Sequence, residues 1–147
     1  MKTKVILFVI FTVISLNLFS QNDEELIKNV IQKSYVDAIM NQGVVEHATD
    51  GFHPCFTLIG LNKDHTTVSL LPIYNWIEYT RQSKERNSQG AKDKYMCEFK
   101  FIDITGNTAM AKLELSVNSN KVFTDYVGLY KFKDGWKIVN KIYQPAE

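Results

Sequence analysis

Few residues in this chain could do chemistry, and Asp125 is the first of them. It alternates with Phe123, Val127 and Leu129 in a long strand-like run. A carboxylate on an apolar strand face is costly to bury unless it is paired. Turned into a cavity, Asp125 would suit general-base work. Paired across a sheet with Lys141 or Lys112 it would be a structural ion, which is the simpler reading. His53 stands before Pro54 at the entry to a strand. Its imidazole could serve as acid, base or ligand contact, or more simply bond neighbouring backbone groups. Tyr35, Trp76, Phe99, Tyr126 and Tyr143, together with Tyr95 and Trp136, form a rich aromatic set. Flat heterocycles stack on such rings, and core or dimer packing uses the same rings. Lys137 and Lys141 share a strand face with Val139 and Tyr143, which reads as an outward, solvated stripe.

Cys55 and Cys97 could form a disulfide in an oxidising compartment if their Cα atoms come within about 7 Å. The alternative is two buried thiols. Neither a Cys-x-x-Cys nor a His-x-x-x-His spacing occurs, so neither a structural zinc site nor any other cofactor is expected.

The elements that must position these groups follow from length and patterning. With 147 residues, 45% hydrophobic and 12% aromatic, the chain has material for one packed domain. A formal charge of +1, from 17 basic and 16 acidic residues, argues against a nucleic-acid binder, which needs a clustered basic excess. The first twenty residues read as an address. Lys2 and Lys4 precede an apolar run from Val5 to Phe19, and the break falls at Ser20 before Gln21-Asn22-Asp23-Glu24-Glu25. That order is the pattern of a signal peptide cut near Ser20. The run is short for a membrane anchor, which needs about 20 apolar residues. The expectation is export to a periplasmic or extracellular space, with no stable membrane anchor afterwards and a domain over residues 21–147.

Asp23 suits a helix N-cap, and Leu26, Ile27, Val30, Ile31, Ser34, Tyr35, Ala38 and Ile39 fall on one helical stripe. Gly43 is placed to end that helix in the left-handed conformation. A short helix over Val44 to Thr49 follows, broken at Asp50-Gly51. Strands are expected at Phe56–Leu61 and Thr66–Leu70. Pro72 then opens a helix with Ile73, Trp76, Ile77 and Thr80 inside. Ser83 to Asp93 reads as a charged loop. From Lys94 the period becomes two, with Tyr95, Cys97, Phe99 and Phe101 on one face. Turns at Thr105–Thr108, Asn118–Asn120 and Lys133–Gly135 divide the rest into four antiparallel strands. Helices first and sheet second is an α+β arrangement.

That element order resembles the cone-shaped nuclear-transport-factor-2-like (SnoaL-like) fold. Ile102-Asp103-Ile104-Thr105-Gly106-Asn107-Thr108-Ala109, Phe123-Thr124-Asp125-Tyr126 and Asp134-Gly135-Trp136-Lys137-Ile138-Val139-Asn140-Lys141-Ile142-Tyr143, with Phe52-His53-Pro54 upstream, look like the "Putative lumazine-binding" family of that superfamily. The resemblance runs from Glu25 to Tyr143. It implies N-terminal helices packed on a curved antiparallel sheet, a pocket at the open end, and a homodimer. No catalytic set is carried over. The reading that follows is an exported domain binding a small planar or apolar ligand at Tyr35, Trp76, Phe99, Tyr126 and Tyr143. The alternative is an isomerase- or dehydratase-like enzyme with Asp125 or His53 as base and Tyr35 as donor to the oxyanion. A passive interaction domain is the third reading, and it needs only the sheet face.

Overall fold

The computed structural model describes residues 22–87 and 93–147. The expected signal peptide and part of the expected Ser83–Asp93 loop lie outside them. Helix α1 begins as α-helix over residues 22–30 and continues as a π-helix over Ile31–Met40. Short α2 (His47–Gly51) follows. Strands β1 (Phe52–Leu61) and β2 (Val68–Pro72) precede α3 (Ile73–Arg86). The chain closes with β3 (Tyr95–Thr105), β4 (Thr108–Val117), β5 (Asn120–Phe132) and β6 (Gly135–Pro145). The strands form one sheet in the order β2-β1-β6-β5-β4-β3. All its pairs are antiparallel except β1 with β6, which run parallel. The helices cover one face of this α+β sheet, as the patterning requires.

The expected helical stripe on α1 is largely right, with two changes. Leu26 is exposed, while Val36 is fully buried. The π winding explains the second. Its i to i+5 bonding, seen where the Asn41 N–H donates to the Val36 carbonyl at 2.9 Å, widens the turn. Ser34, Tyr35 and Val36 are thereby buried in succession. Asp23 lies inside the first turn rather than capping it. Its carboxylate accepts from Lys131 Nζ at 2.7 Å and Trp136 Nε1 at 3.1 Å, which ties the helix start to the β5–β6 hairpin. At the other end Asn41 exchanges two hydrogen bonds with the Tyr95 backbone, at 3.1 and 2.7 Å. The helix is thus fastened to the sheet at both ends.

The left-handed residue after α1 is Gln42, with φ of 52°, and not Gly43. Gly43 is needed for a different reason: a Cβ there would stand 2.7 Å from the Asp37 carbonyl oxygen. Gly51 belongs to α2 instead of breaking it, because its bare Cα rests against the Ser34 side chain. Likewise α3 runs on to Arg86, past the expected loop start at Ser83. Its inner face is as expected, with Ile73, Ile77 and Thr80 buried and Trp76 packed on the core.

Bulges bend the sheet and reset which face each strand presents. On β3 the partners jump from Phe99↔Leu113 to Phe101↔Lys112. Phe101, expected inside with Tyr95, Cys97 and Phe99, is therefore exposed, and Ile102 and Ile104 take the inner positions. On β6, Asn140 pairs with Gly128 while Ile138 pairs with Leu129. Val139 is the extra residue. Trp136 and Ile138 point inward before it, and Lys141 is buried after it.

The tight α1–α2 contact makes a stability prediction. Gly51→Ala, which pushes a methyl group into Ser34, is expected to lower unfolding free energy by roughly 1–3 kcal/mol. Chemical denaturation of the two proteins checks this, and an unchanged midpoint would count against the packing described.

Candidate functional site

The interior beneath α1 holds a three-residue polar cluster. Tyr35 comes from the π-helical segment, Asp125 from β5 and Lys141 from β6. Asp125 sits directly opposite Tyr143, and Lys141 opposite Val127. Lys141 is therefore the diagonal neighbour of Asp125 on the same face, within reach of a long side chain. Lys141 Nζ lies 2.9 Å from Asp125 Oδ2 and donates to Tyr35 Oη at 2.7 Å. Tyr35 Oη donates to the same Asp125 oxygen at 2.6 Å. All three are buried, with relative exposures of 1% for Tyr35, 0% for Asp125 and 5% for Lys141.

Aromatic rings enclose the cation. Lys141 Nζ stands 4.7 Å from the Tyr35 ring centroid, 5.0 Å from that of Tyr143 and 5.7 Å from that of Trp76. Such contacts favour the charged form of the amine more strongly when water is excluded. Burial nevertheless pulls the Lys141 pKa below its ordinary value, against the opposing charge and hydrogen bond of Asp125. The Tyr35 hydroxyl is driven well above its ordinary range, first by burial and then by Asp125. It stays a proton donor at neutral pH.

Asp125 accepts both bonds through Oδ2. Its other oxygen, Oδ1, is buried and has no hydrogen-bond partner among the described residues. Around this cluster the inward residues Trp76, Tyr95, Cys97, Phe99, Phe123 and Tyr143 are only half-buried. Phe99, Leu113, Asp125 and Tyr143 make one cross-strand row. Cys97, Leu115 and Phe123 make the next. Phe123 packs edge-on to Tyr143 at 5.7 Å and stacks on Tyr95 at 6.5 Å.

Of the expected site residues, Asp125, Tyr35, Trp76, Phe99 and Tyr143 come together here. Tyr126 does not. It lies one residue from Asp125 on the opposite face, with Lys112 Nζ 5.4 Å from its ring. That contact also removes Lys112 as the partner of Asp125. His53 is absent from the site as well. Its ring stacks on Phe132 at 4.7 Å, and Nδ1 accepts the Cys55 backbone N–H at 3.2 Å and lies 2.8 Å from Cys55 Sγ. This is the backbone-bonding role. Of the two readings of Lys141, the cross-strand pair with Asp125 is made and the solvated stripe shared with Lys137 is not, because Lys141 is buried. The Val139 bulge turned it inward, and nothing in the alternation of β6 marks that slip.

Cys55 and Cys97 are both free, so the possible bridge is not made, and the alternative of two buried thiols does not hold either, since Cys55 is exposed and Cys97 half-buried. They lie on β1 and β3, with β6, β5 and β4 between them. Strands about 4.8 Å apart put that span beyond disulfide reach. The Cys97 thiol is pushed up to about 12 by burial and by the negative charge of Asp125. Among the described residues, no group of three His, Cys, Asp or Glu side chains could hold a metal ion.

Residues 22–144 match the family described as "Putative lumazine-binding". The chain belongs to this family. A protein of Cladobotryum sp named Aldolase FrzH is 29% identical over 111 residues, which span 74% of this chain and 81% of that one. An NTF2-like protein of unknown function from Methylobacillus flagellatus KT is 27% identical with a TM-score of 0.64, covering 86% of this chain and 94% of its own. An NTF2-like protein with a cystatin-like fold from Novosphingobium aromaticivorans reaches a TM-score of 0.71 at 12% identity, over 92% and 90% of the two chains. The last likeness is one of fold, and it agrees with the expected cone-shaped architecture.

Two expected outcomes test this geometry. Asp125→Ala leaves Lys141 buried without its counter-charge and should cost about 3–5 kcal/mol, while Asp125→Leu combined with Lys141→Met should recover much of that loss. Denaturant unfolding of the three proteins checks it. The thiolate is the form that alkylates, so iodoacetamide at neutral pH should modify exposed Cys55 well before Cys97. Cys97 should react only as the pH climbs toward 12. Equal rates at neutral pH, followed by peptide mass spectrometry, would contradict the half-buried, proton-retaining thiol.

Proposed function

We propose that this domain binds a small, partly planar ligand which enters among the half-buried rings and places a hydrogen-bond donor on Asp125 Oδ1. That unpartnered oxygen carries the reading. A buried acceptor without a donor costs about 1–3 kcal/mol, a cost that a bound N–H or O–H group would remove. Trp76, Tyr143 and Phe99 offer faces and edges for stacking, and a few convergent polar groups in an apolar setting are usual for ligand sites. The family's name is consistent with a pteridine-like heterocycle, which has ring N–H donors and a flat face.

An enzymatic reading has specific support too. The relative from Cladobotryum sp carries the name aldolase, and Asp125 and Tyr35 supply a base and an acid within one hydrogen-bonded cluster. His53 has no part in that reading, because it lies at the Phe132 end of the sheet. The leader-like residues 1–20 support work outside the cytoplasm. Exposed Phe101, Met110 and Ile142, on the sheet face away from the helices, support pairing with a second copy of the chain.

Fluorescence titration with lumazine tests the binding reading. The wild-type protein should show saturable binding. Trp76→Leu and Tyr143→Leu should each weaken it about tenfold, equivalent to about 1.4 kcal/mol. Absence of saturable binding, or variants that bind as well as the wild type, would overturn the reading.

A further inference from the structure

We propose that Lys141 is a covalent carbonyl-binding residue, whose amine condenses with a small aldehyde or ketone bearing a hydroxyl group on the adjacent carbon. The proposal rests on the reading above that the interior admits a small molecule, and it names the chemical class and the bond formed.

Three observations converge on this nitrogen. It is the buried amine at the centre of the site, 5% exposed, whereas lysines such as Lys63 and Lys133 are exposed. A proton acceptor and a proton relay lie within hydrogen-bond distance, Asp125 Oδ2 at 2.9 Å and Tyr35 Oη at 2.7 Å. Finally, Asp125 Oδ1, on the same carboxylate, is buried and has no partner among the described residues. A hydroxyl next to the reacting carbonyl carbon would come to rest there. Lysine nucleophiles work when a desolvated, apolar setting releases the neutral amine. Burial lowers the Lys141 pKa in that direction.

The step balances with groups already present. The Lys141 ammonium passes one proton to Asp125 Oδ2 and becomes a neutral amine. Its lone pair forms the N–C bond to the carbonyl carbon, and the carbon–oxygen π pair moves onto oxygen. A proton then shifts from the new nitrogen to that oxygen through the Tyr35 hydroxyl, which regains its own. Protonated Asp125 returns its proton to the carbinolamine hydroxyl. The C–O bond breaks, water leaves, and the nitrogen lone pair closes a protonated imine. The cluster ends as it began, with one cation and one carboxylate. The adduct therefore leaves no uncompensated buried charge, which would be severely destabilising.

Reductive trapping tests this in the intact wild-type protein. Hydroxyacetone and sodium cyanoborohydride are added near neutral pH, and peptide mass spectrometry reads the alkylated lysines. Lys141 should be modified at least about tenfold more than exposed Lys63 or Lys133, the internal controls. Acetone, lacking the hydroxyl, should label Lys141 less. Asp125→Asn and Tyr35→Phe should each reduce Lys141 labelling while leaving exposed lysines unchanged. Labelling confined to exposed lysines would overturn the proposal, and equal labelling by acetone would overturn the hydroxyl requirement. Saturable lumazine binding with Lys141 unlabelled would sink this proposal and leave the binding reading standing. Selective labelling without lumazine binding would do the reverse.

Discussion

A cation and an anion buried side by side, Lys141 against Asp125, set the terms for the rest of this molecule. Taking either charge out of water alone is prohibitive, and even together they regain the loss only with good geometry and further hydrogen bonds. The fold supplies both. Adjacent strands place the two groups on one face at 2.9 Å. A tyrosine from the covering helix then closes the triangle, donating to one partner and accepting from the other. Three aromatic rings around the ammonium complete a setting in which charge is tolerated but water is scarce. An oxygen left without a partner in such a place is unusual, since buried polar groups are normally satisfied.

Delivering those groups demands irregular backbone. The π winding of Ile31–Met40 brings Tyr35 down onto the sheet while keeping Ser34 and Val36 buried on either side of it. Such windings are rare and frequently occur at functional sites. The bulge at Val139 does the same for Lys141. With regular alternation, β6 would have carried this lysine to the solvent face and left Asp125 buried alone. The bulge on β3 sends Phe101 outward and Ile102 inward. These departures curve the sheet around its contents and choose which residues become contents.

Much of the architecture was legible from local pattern. The 3.6-residue stripe through Ile27, Ile31 and Tyr35 marked the first helix. Ile73, Ile77 and Thr80 marked the inner face of the third. The turns at Gly106, Asn118–Ser119 and Gly135 divided the last four strands at the places where positive φ is observed. The site was half legible. Asp125, Tyr35, Trp76, Phe99 and Tyr143 stood out as a carboxylate and rings on apolar faces. The pairing of Asp125 with Lys141 and the backbone-bonding role of His53 were legible too, whereas the solvated stripe through Lys141 and an inward Tyr126 are not what the sheet presents.

By itself the amino-acid sequence determined the element types, the bounds of the last four strands to within about two residues, the α+β class and the family, because those depend on side-chain period, turn chemistry and motif, all local along the chain. Tertiary structure alone decided which face Lys141 presents, that Lys141 rather than Lys112 meets Asp125, and that Cys55 and Cys97 stay apart. The physical reason is register. A strand's inward parity survives only until the first bulge, and a bulge is set by what pairs across the sheet, often many residues away in the chain.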